Sequence, residues 1–321
     1  KFKEQGKSIV IITHKLQEVM EIADRITVMR DGVITGHCMP QDVTINDLAS
    51  MMVKREIKVN EHMRAETVSP EVYFEVKDLL LTESEKVILD HISLKIHKGE
   101  ILGIAGVEGN GQTELIRCLT GLQKPDTMEL IVDGEAVTGN ASDFIRQGIG
   151  HVPEDRLGTA VVENDSISTN LMLGYHFKER FRKGRWMDYN KADTFGNECI
   201  ETYSIKAPSS KTTIAEMSGG NQQKVVIARV FSENPKVVIC AQPTRGVDIG
   251  SIEYIHRRMR EFVGTEHAML LISADLEEVK AMSDRIAVIF KGKIVAEGST
   301  DQFDDTQLGL YMTGAGTEEE R

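Results

Sequence analysis

Apolar and polar residues are arranged in two different patterns along this chain. In residues 72–97 they alternate, as in YFEVKDLLL and KVILDHISLKI, which predicts antiparallel strands with one covered face. Uninterrupted apolar runs occur at residues 9–12, 101–104, 237–240 and 269–272. Such short runs are typical of buried strands, so we expect a mainly parallel sheet flanked by an antiparallel piece.

Three helices can be predicted from spacing and capping residues. Residues 113–120 should form one, with Ile116, Leu119 and Leu122 facing the core. Residues 45–52 should form another, capped by Thr44 or Asn46. A third should follow residues 218–220, where apolar residues recur at near-helical spacing.

The chain contains an internal repeat at an offset of 260 residues. Residues 14–36 match residues 274–296 at nine of 23 positions without a gap, and such self-similarity indicates a duplicated unit. Each copy predicts an apolar strand, a short amphipathic helix, an Asp-Arg pair and a hairpin that turns at Asp31-Gly32 or Lys291-Gly292.

The repeat predicts the domain organisation. At 321 residues the chain exceeds a usual single core. We expect residues 1–54 to be the end of one domain, 55–70 a charged linker and 71–321 a complete second copy. A helical subdomain should occupy about residues 156–230, where the sequence is more polar.

Composition restricts the class of protein. The net charge of −12 argues against coating nucleic acid, which calls for a basic face. No apolar run approaches the ~18 residues of a membrane span. Four scattered cysteines favour reduced thiols over metal ligands or disulfides.

Candidate chemistry begins after the strand at 101–104. Gly106, Gly109, Gly111 and Thr113 have the order of a phosphate-binding loop, whose backbone N–H groups and following helix face an anion. The motif calls for lysine where this chain has Gln112, which cannot supply charge to a phosphate. The alternative is a glycine-rich turn without a ligand.

A second glycine-containing helix start lies further on. Ser218, Gly219 and Gly220 precede the predicted third helix, and the strand at 237–240 then leads into AQPTRGVD. Alone, the SGG triplet is weak evidence for an anion site. Two such helix starts on either side of a strand are more specific.

These motifs resemble the nucleotide-binding subunits of ABC transporters, and most of all the duplicated ATPases of sugar- and nucleoside-type bacterial importers. The resemblance covers essentially the whole chain and rests on GEILGIAGVEGNGQTEL, PEDR, SGGNQQK and PTRGVD. It implies an α/β fold, a P-loop NTPase core with an antiparallel β subdomain and an inserted helical subdomain.

The resemblance also implies a nucleotide site for ATP and Mg²⁺. Thr113 would be a weak metal ligand. The residues that would contact nucleotide are Gly106, Glu108, Gly109, Asn110, Gly111, Gln112, Thr113, Glu114, Ser218, Gly219, Gly220 and Gln222.

Several positions depart from the active pattern of that family. Ala241 and Gln242 stand where it has Asp and Glu, and Ala274 where it has the switch histidine, which the first copy retains as His14. The metal-sensing glutamine is displaced near Glu154, and Glu83 or a neighbour replaces the aromatic residue that stacks on adenine. These losses predict nucleotide binding without efficient hydrolysis.

In that family two domains close face to face, and each signature serves the site of the other. We therefore expect Ser218, Gly219 and Gly220 to serve the first domain's site, with His14 as its catalytic residue. The full-length protein would hydrolyse ATP, whereas this stretch alone would be inactive or weakly active. The implied partners are transmembrane permease subunits and an extracytoplasmic solute-binding protein, at the cytoplasmic face of the membrane.

Two other functions remain open. A soluble ABC ATPase acting on ribosomes or DNA would usually carry a longer insertion than the predicted linker, and a pseudo-enzyme would bind nucleotide without hydrolysis anywhere. The basic run FKERFRKGR at residues 177–185 is either a solvated helix face or a surface for an acidic or lipid-headgroup partner.

Overall fold

The computed structural model describes residues 5–13, 16–30, 32–52, 63–65 and 68–316. The chain divides into two compact units, one built from residues up to 52 together with Val247–Tyr254, the other from the remaining described residues. No helix in these ranges is both long and apolar enough to span a bilayer.

The first unit is a small helix–hairpin–helix arrangement. Its elements are α1 (Leu16–Ile22), β1 (Ile26–Arg30), β2 (Val33–Cys38), a 3₁₀ turn (Pro40–Asp42) and α2 (Ile45–Met52). Thr44 caps α2, because its Oγ1 accepts from the N–H of Asp47 at 3.2 Å and the Asp47 carboxylate accepts from the N–H of Thr44 at 2.8 Å. Leu16, Val28 and Leu48 form the core of this unit.

The strand predicted at residues 9–12 is wrong. These residues form no strand, and Ile12 is 98% exposed. The matching segment of the second copy is a buried strand because it is hydrogen-bonded on both edges. Apolar character alone does not make a strand where no neighbour pairs with it.

The remaining helices and strands lie in the second unit, apart from residues 249–254 at the start of one helix, which belong to the first unit. They are β3 (Val72–Glu83), β4 (Lys86–His97), β5 (Ile101–Ala105), α3 (Gln112–Leu119), β6 (Thr127–Val132), β7 (Glu135–Ala136), α4 (Ala141–Arg146), β8 (Ile149–Val152), α5 (Ile167–Met172), β9 (Arg182–Lys183), β10 (Trp186–Met187), α6 (Tyr189–Thr202), α7 (Gly219–Phe231), β11 (Val237–Ala241), α8 (Ile249–Val263), β12 (Ala268–Ile272), α9 (Leu276–Met282), β13 (Arg285–Phe290), β14 (Lys293–Ser299) and α10 (Asp305–Thr313).

Two sheets enclose the main core of this unit. The larger has the order β14-β13-β5-β12-β11-β8, parallel apart from the β13–β14 hairpin. The smaller is antiparallel with the order β4-β3-β6-β7. Because β5 lies between β13 and β12, the loop that follows β5 leaves the middle of the parallel sheet, where such folds place their ligand sites.

The two copies of the repeat, residues 16–52 and 276–313, have matching elements. Helices α1 and α9 both start at a leucine, 260 residues apart, and helices α2 and α10 are offset by the same amount. The hairpins β1–β2 and β13–β14 each contain an irregularity at equivalent positions, between Val28 and Met29 and between Val288 and Ile289. The repeat predicted from sequence is therefore confirmed from the helix onward.

Two further expectations need correction. Leu122 is 61% exposed, because α3 ends at Leu119 and the left-handed Gly121 then redirects the chain. The basic run at 177–185 is not a helix face. It forms a short 3₁₀ turn (Glu179–Phe181) and the hairpin β9–β10, in which Gly184, with φ of 62°, permits a tight turn.

Candidate functional site

The loop between β5 and α3 has the backbone of an anion cradle. Gly109 and Gly111 adopt φ values of 91° and 103°, which residues with a Cβ seldom adopt. Gly111 is the N-cap of α3, so the first N–H groups of that helix have no helical partner. Those donors and the positive end of the helix favour a bound anion.

Close packing accounts for another glycine of this loop. A Cβ on Gly106 would lie 2.7 Å from both the Gln112 Nε2 and the Ile289 Cγ2. The loop is braced from the other side by Asn110, whose Oδ1 accepts from the N–H of Lys291 at 2.9 Å. The turn of the β13–β14 hairpin therefore holds the cradle in shape.

Gln112 lies within the loop itself. Its Nε2 donates to the carbonyl of Val107 at 2.9 Å, and its Oε1 accepts from the N–H of Asn110 at 3.1 Å. The amide thus bridges the loop at the position where the motif has a lysine. It brings polarity to the cradle but no positive charge.

Thr113 and Glu154 meet at the start of α3. The Thr113 Oγ1 donates to the Glu154 Oε1 at 3.2 Å, which brings the PEDR stretch after β8 next to the phosphate loop. Among the described residues there is no group of three or more His, Cys, Asp or Glu that could hold a metal. A hydroxyl and one carboxylate are nevertheless what Mg²⁺ uses when phosphates and waters complete its shell.

The end of β11 carries no ionisable side chain at residues 241 and 242. Ala241 is buried there, and Gln242 follows in a left-handed conformation with φ of 46°. The Gln242 side chain accepts from the N–H of Ala274 at 3.2 Å. The three substituted positions therefore meet, and they offer neither a carboxylate nor an imidazole.

The SGG segment begins α7 and contacts Arg156. The guanidinium Nε of Arg156 donates to the Gln222 Oε1 at 3.2 Å, and its Nη1 donates to the carbonyl of Arg245 at 3.2 Å. A Cβ on Gly219 would lie 2.9 Å from the same guanidinium. Burial lowers the pKa of Arg156 from its usual value.

One cavity of about 650 Å³ joins these segments. Its lining consists of Gly106, Glu108, Gly109, Gln112, Thr113, Glu154, Asp155, Arg156, Leu157, Gln242, Arg245, Gly246, Ile272, Ser273 and Ala274. Glu108 and Arg245 approach to 3.5 Å, and both side chains are mostly exposed. The volume lies in the range of small-molecule sites, and the mixed polar lining suits a charged ligand.

The structure brings together some of the residues predicted for the site. Gly106, Glu108, Gly109, Gln112, Thr113, Gln242 and Ala274 line the cavity, whereas Asn110, Gly111, Glu114, Ala241, Ser218, Gly219, Gly220 and Gln222 are absent from its lining. His14 lies outside the described residues. Sequence reasoning did not assign Arg156 or Arg245 to the cavity, although both lie in motifs it had singled out.

Comparison with known proteins agrees with this geometry. Residues 89–245 match the ABC transporter family. The nucleoside import ATP-binding protein NupA of Lactococcus lactis is 38% identical over 319 residues, which are 98% of this chain and 63% of NupA. The guanosine import ATP-binding protein NupO of Bacillus subtilis is 39% identical over 97% of this chain and 61% of its own length.

A ribose relative gives the same picture. The ribose import ATP-binding protein RbsA of Lacticaseibacillus paracasei is 36% identical over 100% of this chain and 62% of its own length. The chain thus spans about three fifths of the curated relatives it matches.

Solved structures show the fold. An ATP-binding subunit of an ABC transporter superposes with a TM-score of 0.62 at 20% identity, over 75% of this chain and 99% of that one. A nucleotide-free ATP-binding cassette from an ABC transporter gives 0.60 at 22% identity, over 71% of this chain and 91% of that one. The fold is that of the ABC ATPases, as predicted, and the part of the chain that matches the ABC transporter family spans residues 89–245.

Proposed function

We propose that this chain is part of the ATP-binding subunit that energises a bacterial importer of a nucleoside or a sugar. The names of its relatives support this assignment, since they are ATP-binding proteins of nucleoside, guanosine and ribose import. Within the subunit, the second domain holds nucleotide without efficient hydrolysis. The observation that carries this proposal is a complete phosphate cradle next to a strand end without the groups that cleave phosphate.

Nucleotide binding would rest on the backbone of the cradle. The loop from Gly106 to Gly111 directs N–H groups at the phosphates, and the N-terminus of α3 adds its dipole. Arg156 and Arg245 line the same cavity and supply the positive charge that Gln112 lacks. Phosphate recognition then depends on amides and on two arginines outside the loop.

Mg²⁺ fits the donors present at this site. Thr113 and Glu154 would hold it together with phosphate oxygens and water, because Mg²⁺ is commonly bound through few protein oxygens. When bound, the ion neutralises phosphate charge. The contribution of the chain is to hold the Thr113 hydroxyl and the Glu154 carboxylate at one point beside the cradle.

Hydrolysis lacks its proton acceptor. A water that attacks a phosphate needs a positioned base, and Gln242, whose side chain already accepts from the N–H of Ala274, is an uncharged amide. Ala241 and Ala274 cannot replace it. We therefore infer that ATP stays intact in this site.

The signature of this domain would act on another site. Ser218, Gly219 and Gly220 begin α7 but do not line the cavity of their own domain. The Ser218 side chain makes no capping bond to the helix and instead accepts from the Asn221 amide at 2.9 Å. We assign these residues to the site of the first domain, together with His14, and this makes the full-length protein an ATPase with one active site.

Partners and location follow from the same proposal. An importer subunit of this kind works on transmembrane permease subunits at the cytoplasmic face of the membrane. An extracytoplasmic solute-binding protein would deliver the solute. The two nucleotide-binding domains of the full-length protein would pair with each other.

Calorimetric titration of the chain with ADP and ATP, with and without Mg²⁺, tests the nucleotide site. Gly109→Ala is the informative variant and Gly134→Ala its control, because both glycines have a positive φ and open space around the missing Cβ. Backbone strain should be similar in the two variants, about 1–2 kcal/mol. Only Gly109→Ala should weaken nucleotide binding, by roughly tenfold or more, since only it moves a cradle amide by an ångström or so.

Two results would contradict the proposal. Equal loss of affinity in both glycine variants would mean that binding does not depend on the cradle. Steady ATP turnover by the chain that is lost when Gln112 or Thr113 is replaced would mean that hydrolysis occurs in this site after all.

A further inference from the structure

The hairpin β9–β10 carries an exposed aromatic residue beside unpaired cations. Trp186, the only tryptophan of the chain, is 79% exposed. It lies opposite Lys183 in the ladder, and Gly184 and Arg185 form the turn between them. Within the part of the chain that the structure describes, Lys183 and Arg185 make no ion pair.

We call residues 183–186 the tip of this hairpin. The residues just before the tip are held in place by the helical subdomain. Phe181 is fully buried and packs edge-on against Phe195 at 5.4 Å between ring centroids. The Lys191 ammonium donates to the carbonyl of Arg182 at 2.9 Å. The tip therefore projects from a fixed base, and little conformational freedom would be lost when it binds a partner.

The charge of the tip is opposite to that of the whole protein. The chain as a whole carries a net charge of −12, so an anionic surface should repel most of the protein surface. Lys178 and Arg180 lie closer to the base and share Glu233, at 3.5 and 3.4 Å. Within the run at 177–185, Lys183 and Arg185 therefore carry positive charge that no carboxylate of the described residues neutralises.

We propose that the β9–β10 tip docks on anionic lipid headgroups of the membrane surface. Lys183 and Arg185 contact the headgroup phosphates, while the Trp186 ring lies at the boundary between headgroups and acyl chains. Tryptophan favours that boundary because its ring is apolar but carries one N–H donor. Basic side chains add attraction to the negative cytoplasmic leaflet.

A lipid surface suits this tip better than a permease loop. Cytoplasmic loops of membrane proteins are enriched in lysine and arginine, so they would repel Lys183 and Arg185. The leaflet beside those loops is negatively charged and attracts the same residues. Access to this leaflet rests on the proposed location of the subunit, whereas the lipid contact itself can be tested with the isolated chain.

Vesicle binding tests the proposal directly. The chain is mixed with vesicles of phosphatidylcholine containing phosphatidylglycerol, or of phosphatidylcholine alone, at physiological salt. Because Trp186 is the only tryptophan, its emission reports on the tip alone. We expect a blue shift, and quenching by brominated acyl chains, with the anionic vesicles only.

A matched pair of double variants separates the tip from general electrostatics. Lys183→Ala with Arg185→Ala removes two charges at the tip, and Lys86→Ala with Lys124→Ala removes two exposed charges elsewhere. At about fivefold for each cation near the surface, the tip variant should partition roughly 25-fold more weakly into anionic vesicles. The control variant should bind like the unmodified chain.

Three results would overturn the proposal. They are absence of binding to anionic vesicles, equal loss in both double variants, and binding without any change in Trp186 emission. In the first of these cases, a shift with soluble poly-glutamate would assign the tip to an acidic protein segment instead. None of these outcomes bears on nucleotide binding, which is measured separately.

Discussion

Replacing Gln112 by lysine should strengthen nucleotide binding without creating hydrolysis. The amide of Gln112 spans the loop between Val107 and Asn110, at 2.9 and 3.1 Å. A lysine here would bring an ammonium group to the phosphates in place of a neutral amide. The predicted change is therefore in affinity alone.

The size of the effect follows from comparing a hydrogen bond from a lysine ammonium to a phosphate with one from a neutral glutamine amide. A hydrogen bond to a charged group contributes about 1.5–3 kcal/mol, against about 0.5–1.5 kcal/mol for a neutral one. The difference between the midpoints of these ranges, about 1.25 kcal/mol, corresponds to a roughly eightfold lower Kd. Part of this gain should vanish at about 1 M salt, since the side chain is only half-buried and its charge is screened there.

Calorimetric titration with ADP measures the affinity, and release of phosphate from ATP measures hydrolysis. Gln41→Lys is the control, because it adds the same charge at an exposed position in the other unit. An unchanged Kd in Gln112→Lys would refute the role assigned to this position. Phosphate release by the same variant would refute the claim that Ala241 and Gln242 prevent hydrolysis.

Two further predictions concern the metal and the stability of the site. Thr113→Val should abolish the gain in ADP affinity caused by Mg²⁺ while leaving metal-free binding unchanged, as calorimetry against a Thr138→Val control can show. Burial, the largest single cause, raises the pKa of Glu278, but the hydrogen bond and charge of His256, whose Nε2 lies 2.8 Å away, and the hydrogen bonds of Ser273 and Thr244 together outweigh it, so the net pKa is lowered. Glu278→Ala should therefore cost about 3 kcal/mol at neutral pH, measured by urea unfolding. The stabilisation from a lowered pKa is present above the unfolded value of about 4.3 and is lost as pH falls through the folded pKa, so the two proteins should converge in acid; a constant gap would contradict this.

The pattern of apolar and polar residues predicted the strands correctly where each strand is paired with neighbouring strands in a sheet. The alternation in β3 and β4 and the apolar run of β5 were confirmed, since both lie in sheets that cover them. Residues 9–12 have an equally apolar sequence but are exposed. A strand depends on its neighbours, and a single segment does not contain that information.

The residues at which helices end were harder to predict than the presence of the helices. Helix α3 was expected where it lies, but it ends at Leu119 and leaves Leu122 exposed. Apolar residues continue at helical spacing beyond the last residue of α3. The helix nevertheless stops where Gly121 adopts a left-handed conformation. Of the two alternatives for the basic run at 177–185, the helix face was wrong for the same reason, because Gly184 turns the chain into a hairpin.

The candidate site was predicted by motif but not by geometry. The glycines and Thr113 were identified as a cradle from their order alone. Contacts over long separations could not be derived that way, among them the 3.2 Å contact of Arg156 with Gln222 across 66 residues. Closure of the loop by the Gln112 amide likewise became visible only in the folded chain.

The central claim is that this cradle holds ATP and leaves it intact. Equilibrium dialysis of the chain against γ-labelled ATP and Mg²⁺ tests it most directly, with both compartments analysed for free phosphate. We expect label to be retained up to about one nucleotide per chain, all of it as ATP. Steady accumulation of labelled phosphate, or no retention of label at saturating ATP, would contradict the account.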